Sequence, residues 1–180
     1  RRPAPRCSTG AARGGAPVGL ASEDFARVEP GRPAGMETEI FAYGRLPLAV
    51  SARCFTARYN NLTKDHCEFR CIEHPDGLAL DTQDGQHFLV LNGVQTQSAS
   101  VQSLVSELGP ARAAGANVLR LSPQSQRMGE VVAVFREALD GALAPRDAAA
   151  RLAPLMPAAP CDGYWHGKPG ILNLAKEVAA

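Results

Sequence analysis

The apolar positions of the chain fall into short runs whose period changes along its length. Thr38 to Tyr43, in "TEIFAYGRLPLAV", reads as a strand, with Gly44 and Pro47 expected to break it. In "GLALDTQDGQHFLVLNG", the runs Leu78 to Leu80 and Phe88 to Leu91 flank Asp84-Gly85, the pattern of a β-hairpin. Val101, Leu104, Val105 and Leu108 recur at helical spacing, and Gly115 is expected to close that helix before a short buried strand in "ANVLRLS". A second helix is predicted over about Gly129 to Asp140, with Val131, Val134, Phe135, Ala138 and Leu139 on one side and Gly141 as its stop. "PRDAAARLAPLM" predicts a third helix, with Pro145 in the first turn, where its missing N–H costs nothing. Alternation of strand and helix is the grammar of an α/β protein with parallel strands. Only two or three such units fit, too few to close an eight-fold barrel of about 250 residues. The expected fold is therefore a partial β/α (TIM-like) barrel carrying an inserted hairpin, without the N-terminal half of the barrel. No internal repeat is visible.

Composition adds two boundaries to this picture. Residues 1–35 are rich in Pro, Gly, Ala and Arg and are expected to be loosely ordered, although "SEDFARVEP" suits a short helix capped by Ser22. Residues 36–175 are left as the folded domain. The chain starts Arg-Arg-Pro, with no initiator Met and no signal-peptide pattern, and is read as a truncation. A formal net charge of +1 gives no global electrostatic case for nucleic acid. No apolar run approaches the ~20 residues that span a bilayer. The expected compartment is reducing and cytoplasmic, which disfavours disulfides among the five cysteines.

Candidate chemistry concentrates in "SARCFTARYNNLTKDHCEFRC", where Cys54, Cys67 and Cys71 stand as C-x12-C-x3-C among Arg, Lys, Asn and Asp. "TKDHCEFRCIEH" allows a helix capped by Thr63, which would put Cys67 and Cys71 on one face. Three thiols in a polar setting admit three readings. A zinc site would use them with His66 or His74. A [4Fe–4S] cluster would take them with one further cysteine. The third reading is cysteines near one another without a metal. Cys7 and Cys161 suit the role of isolated residues better.

Several blocks in order carry a resemblance: "YGRLPLAVSARCFTARYNNLTKDHCEFRC", "HPDGL", "LNGVQTQSA", "RLSPQS" and "GYWHGKPG", from about Glu37 to Gly170. This set resembles the collagenase-like U-32 peptidase family, in its UbiV branch. The resemblance implies a β/α-barrel-like domain and a [4Fe–4S] cluster held by four cysteines. Three of them correspond to Cys54, Cys67 and Cys71, and the fourth lies in a part of the family pattern absent from this chain. It further implies a role in oxygen-independent ubiquinone biosynthesis, namely ring hydroxylation of a ubiquinone precursor in a heterodimer with a homologous UbiU-type partner. Alternatives within the family are peptidase activity and hydroxylation of RNA bases.

The residues themselves give little support to a peptidase. No G-x-S-x-G elbow or H-E-x-x-H pair is present, and Ser51, Ser98 and Ser122 have no evident His–acid partners in the sequence. His87 reads as a hairpin residue facing solvent. Arg45 is a candidate for an anionic substrate or a cluster, or else a solvated residue beside a turn. Gln95 and Gln97 follow a strand and precede a helix, the end of an α/β unit where sites form, although loop hydrogen bonding would equally explain them. Tyr164, Trp165 and His166 are candidates to cover a barrel mouth or dock a partner, with packing the default for the chain's one Trp.

Overall fold

A computed structural model of the chain describes residues 11–174. Strand β1 (Arg13–Gly15) and helix α1 (Ser22–Val28) come first, followed by the long strand β2 (Glu37–Val50) and the short helix α2 (Phe55–Tyr59). Next are β3 (Leu78–Asp81), β4 (His87–Asn92), β5 (Gln95–Ser103), α3 (Leu108–Ala113) and β6 (Val118–Leu121). Helices α4 (Met128–Leu139) and α5 (Pro145–Leu152) and strand β7 (Pro160–Cys161) complete the order. The seven strands form one open sheet, with order β1-β2-β5-β4-β3, β6 on β2 and β7 on β5. The fold is mixed α/β, and the sheet does not close into a barrel.

Strand β2 organises the molecule because its two halves serve different neighbours. Its first half runs parallel to β1 (Arg13↔Glu37) and to β6 (Ile40↔Leu119). Its second half runs antiparallel to β5, from Tyr43↔Ser103 to Val50↔Gln95. Gly44 and Pro47 do not break the strand, contrary to the sequence expectation. Gly44 adopts φ 120°, open to a residue without Cβ, and Pro47, opposite Gln97, sits between two register shifts, the kind of irregular ladder position that tolerates proline.

The predicted hairpin forms as β3 and β4, with Leu80 opposite Leu89. The predicted helix over 101–115 is shorter. Val101 belongs to β5, facing Arg45, and helical structure starts only with a 3-10 turn at Val105–Glu107. The apolar spacing is nevertheless real, because Val101, Leu104, Val105 and Leu108 all enter one core while the chain changes from strand to helix. Strand β6 is only half-buried, since among the described residues it pairs on one side, with β2.

Helix α4 buries Val131, Val134 and Phe135 as its period requires, and Gly141 follows with φ 75°. The Phe135 ring meets that of Tyr43 edge-on, 5.8 Å between centroids. Helix α1 starts at Ser22 with Ala21, not Ser22, at the N-cap, and it sends Phe25 into the same core against Trp165. Helix α5 has Pro145 in its first turn, but Ala144 at its N-cap offers no side-chain acceptor. Ala144 has extended backbone angles suited to a capping side chain, so Ala144→Asp is expected to stabilise the fold by about 1 kcal/mol in urea titration. A zero or negative change would show that the first turn of α5 is already satisfied.

Candidate functional site

The three clustered cysteines lie in the segment that connects β2 to β3. Beyond Val50 the chain is tied to the β4–β5 turn: Ser51 N–H donates to Val94 O at 2.8 Å and Phe55 N–H to Gly93 O at 2.7 Å. Cys54 is the N-cap of α2, and its Sγ accepts from Ala57 N–H at 3.5 Å. Helix α2 anchors itself by burying Thr56 and Ala57.

The helix expected around Cys67 and Cys71 does not form. Two 3-10 turns, Lys64–His66 and Arg70–Glu73, stand in its place, separated by Cys67, Glu68 and Phe69, the last two each at φ 52°. Two consecutive non-Gly residues with positive φ interrupt any α-helix. The bonds have three-residue spacing instead: Arg70 N–H donates to Cys67 O and His74 N–H to Cys71 O. Cys67 and Cys71 are therefore not stacked on one helix face.

Helix α2 packs against the turn that carries Cys71, so the segments bearing Cys54 and Cys71 are neighbours. Cys54, Cys67 and Cys71 are all free thiols and half-buried. Among the described residues no group of three or more Cys, His, Asp or Glu side chains stands close enough to hold a metal ion. The donor chemistry, three free and partly accessible thiols on adjacent segments, suits a soft-ligand metal centre. The sulfurs do not converge on one point as they stand. His66 Nδ1 lies 3.4 Å from Thr63 Oγ1.

Cys161 is a poor further ligand. It is 1% exposed, and burial, with a smaller contribution from Asp162, pushes its thiol up to about 12. It is therefore a neutral buried thiol near neutral pH. Cys7 lies outside the described residues.

A second arrangement lies where the parallel pairing of β2 with β6 ends. Where β6 ends at Leu121, level with Tyr43 of β2, Ser122 N–H donates to Tyr43 O at 2.8 Å, and the chain leaves across a cavity of about 50 Å³. Tyr43, Arg45, Asp76, Asn92, Gln97 and Ser122 are among its lining residues. The Arg45 Nη1 donates to Ser98 O at 3.0 Å and also to Ala99 O. Its Nε is buried without a hydrogen-bond partner. Desolvation lowers the Arg45 pKa, while the charge of Asp76 opposes that shift. Asp76 is itself anchored: Ser125 N–H donates to its Oδ1 at 2.8 Å and Ser125 Oγ–H to its Oδ2. Tyr43 O–H donates to Gln124 Oε1, and Gln124 Nε2 donates to Leu155 O at 2.7 Å.

Arg45, Gln97 and Ser122, three residues singled out in the sequence, thus meet at one cavity. Gln95 lies beside it, accepting from Gln97 Nε2 at 2.9 Å. Tyr43, Asp76 and Asn92 were missed, because only the folded chain brings their separate segments together; the Asp-Gly of "HPDGL" was the one local signal.

Ser98 Oγ donates to Ser100 O at 2.6 Å and accepts from Leu46 N–H, and Ser51 Oγ accepts from Arg53 N–H, so these two hydroxyls serve the backbone. The His87 side chain is 80% exposed in the hairpin, its Nδ1 2.6 Å from Asp81 Oδ1. Trp165 is core, with Nε1 donating to Glu107 at 3.3 Å. His166 Nε2 lies 3.7 Å from Asp162 and 4.0 Å from Glu107. No helix of the described residues is long and apolar enough to cross a membrane. No family model matches the chain, and no solved structure matches it.

Proposed function

We propose that this chain is an iron–sulfur protein of the U-32 type, in its UbiV branch, serving oxygen-independent ubiquinone biosynthesis in the cytoplasm. The observation that carries the reading is the ordered set of sequence blocks around Cys54, Cys67 and Cys71, together with the free state of all three thiols. On this reading the parallel strands β1, β2 and β6 are a portion of a β/α barrel, and the β3–β4–β5 hairpins are an insertion between two of its strands.

Cys54, Cys67 and Cys71 would hold three corners of a [4Fe–4S] cluster, which supplies an electron path when bound. The chain's own contribution is positional. Helix α2, docked on the β4–β5 turn, fixes Cys54, and the two 3-10 turns leave Cys67 and Cys71 half-buried within a short chain segment. Tyr59, Phe69 and Ile72 are exposed in the same segment, an apolar group suited to a homologous UbiU-type partner in a heterodimer. A ubiquinone precursor would be the substrate of that complex.

Protein purified without oxygen is expected to be brown, with iron and acid-labile sulfide near about four per chain. Cys67→Ala should remove the absorbance, and Cys161→Ala should leave it, since that thiol is buried away from the segment. Stoichiometric zinc without iron, or loss of the absorbance in Cys161→Ala, would overturn the assignment. The functional arm is restoration of ubiquinone to a strain lacking its UbiV, under anaerobic conditions only. Rescue that survives Cys67→Ala would remove the cluster from the role.

A further inference from the structure

We infer that the cavity beside Arg45, where the parallel pairing of β2 with β6 ends, is a binding subsite for the carboxylate of a small monoanionic organic acid. The inference stands on a donor, a space and a charge balance, and does not depend on the cysteines.

The donor is Arg45 Nε, a buried N–H with no acceptor. Buried polar groups are nearly always satisfied, so such an N–H beside a polar cavity is a place for an acceptor to arrive. The guanidinium is already oriented, because Nη1 is committed to the carbonyls of Ser98 and Ala99 on β5. A planar cation fixed in this way presents its remaining edge to a planar anion, the geometry of arginine–carboxylate pairing.

The space is about 50 Å³, lined also by Asn92, Gln97 and Ser122, whose amide and hydroxyl groups can donate to an anion. A water needs about 10–15 Å³ on this measure, so the cavity takes a carboxylate and an adjoining carbon or two. The rest of a larger ligand would remain outside.

The charge balance selects the class. Asp76 lines the same cavity and acts on Arg45 electrostatically, while both its oxygens are held by Ser125. The fixed Asp76 charge weakens the pull of Arg45 on any anion and repels a dianion about twice as strongly as a monoanion, so among anions the pair discriminates against phosphate. Position supports a ligand site as well. Pro75 and Asp76 come just after the turn that carries Cys71 and its cap His74, and the cavity opens at the carboxyl end of β6, the kind of strand end where α/β proteins place their sites.

The test uses pyruvate as the probe, with inorganic phosphate and the neutral pyruvamide as controls, on the whole chain. Binding is read from the Arg45 Nε–H signal in ¹H–¹⁵N NMR, assigned by its loss in Arg45→Gln. Pyruvate should shift that signal saturably, with phosphate and pyruvamide at least about tenfold weaker. Arg45→Gln also removes a tie between β2 and β5, so Gln97→Glu is the companion variant. It keeps Arg45 and its strand contacts but adds a negative charge to the cavity wall, and it should weaken pyruvate at least about tenfold. No saturable shift with pyruvate would mean that Nε is merely hydrated and would overturn the subsite. Equal binding of phosphate would overturn the monoanion assignment, and unchanged affinity in Gln97→Glu would overturn the location. The readout needs no iron, so its failure is distinguishable from failure of the cluster assignment.

Discussion

Gly44→Ala is expected to cost the fold about 3 kcal/mol or more, measured as a lower urea midpoint at unchanged m-value. Two independent penalties combine at this position. The backbone at φ 120° lies in a region that residues with Cβ rarely enter. An added Cβ would also lie 2.5 Å from the Ser122 Cβ and 3.3 Å from the Ser122 carbonyl oxygen. The neighbour is not the free end of a flexible side chain, because Ser122 N–H is bonded to Tyr43 O. Relief therefore requires β2 and β6 to separate where their parallel pairing ends. The double variant Gly44→Ala/Ser122→Gly should recover the part due to the clash and none of the part due to φ. A loss below about 0.5 kcal/mol in the single variant would show that the strand relaxes without cost at its register shifts.

Alkaline pH should destabilise the protein strongly, starting well before general base denaturation. Burial raises Tyr43 from its ordinary 10.0 to about 12, and raises Cys161 from 9.0 to about 12. Between each pair of values the folded state holds a proton that the unfolded chain has released, so stability falls as pH rises. The contribution is whole below pH 9.0, erodes from there upward, and is lost as pH passes through about 12. Each tenfold difference in proton affinity between folded and unfolded chain is worth about 1.4 kcal/mol, so the two groups together represent on the order of several kcal/mol. Urea midpoints at about pH 8 and about pH 11 would measure this. The Tyr43→Phe/Cys161→Ala variant should show a flatter alkaline limb, although it starts lower because Gln124 loses a donor. An alkaline loss equal to that of the parent would place the titrating groups elsewhere.

How far the sequence spoke for the fold depended on how local each signal was. Asp84-Gly85 between two apolar runs specified a hairpin, and the spacing Val131, Val134, Phe135 specified α4, since both are decided within a few residues. At Gly44 and Pro47 the local rule failed, because tertiary pairing to β5 and β6 holds one strand together through residues that ordinarily end one. Val101 to Leu108 kept a helical period across a strand-to-helix junction, so the set of core residues was legible while the element boundary was not. The candidate metal segment was legible by residue type only. Left-handed backbone at Glu68 and Phe69 has no signature in "CEFRC" and it separates the two thiols that helical spacing would have stacked. The cavity was half legible. Arg45, Gln97 and Ser122 stand out one by one, but Asp76 and Tyr43 become partners only once β2, β6 and the loop before β3 are assembled.

The divided allegiance of β2 also orders events in time. Its antiparallel neighbour β5 is the last strand of a meander, β3 to β4 to β5, with the turns at Asp84-Gly85 and Gly93 closing short loops. The parallel pairing with β6 is sealed by Thr38 N–H on Asn117 Oδ1, between residues 79 apart in sequence. Closing that long span carries an entropic cost that short loops avoid, and its rewards arrive only when helix α4 can seal the core. The meander should therefore acquire amide-exchange protection early in refolding. Protection of β1, β6 and the first half of β2 should appear together and later, as one slower cooperative step.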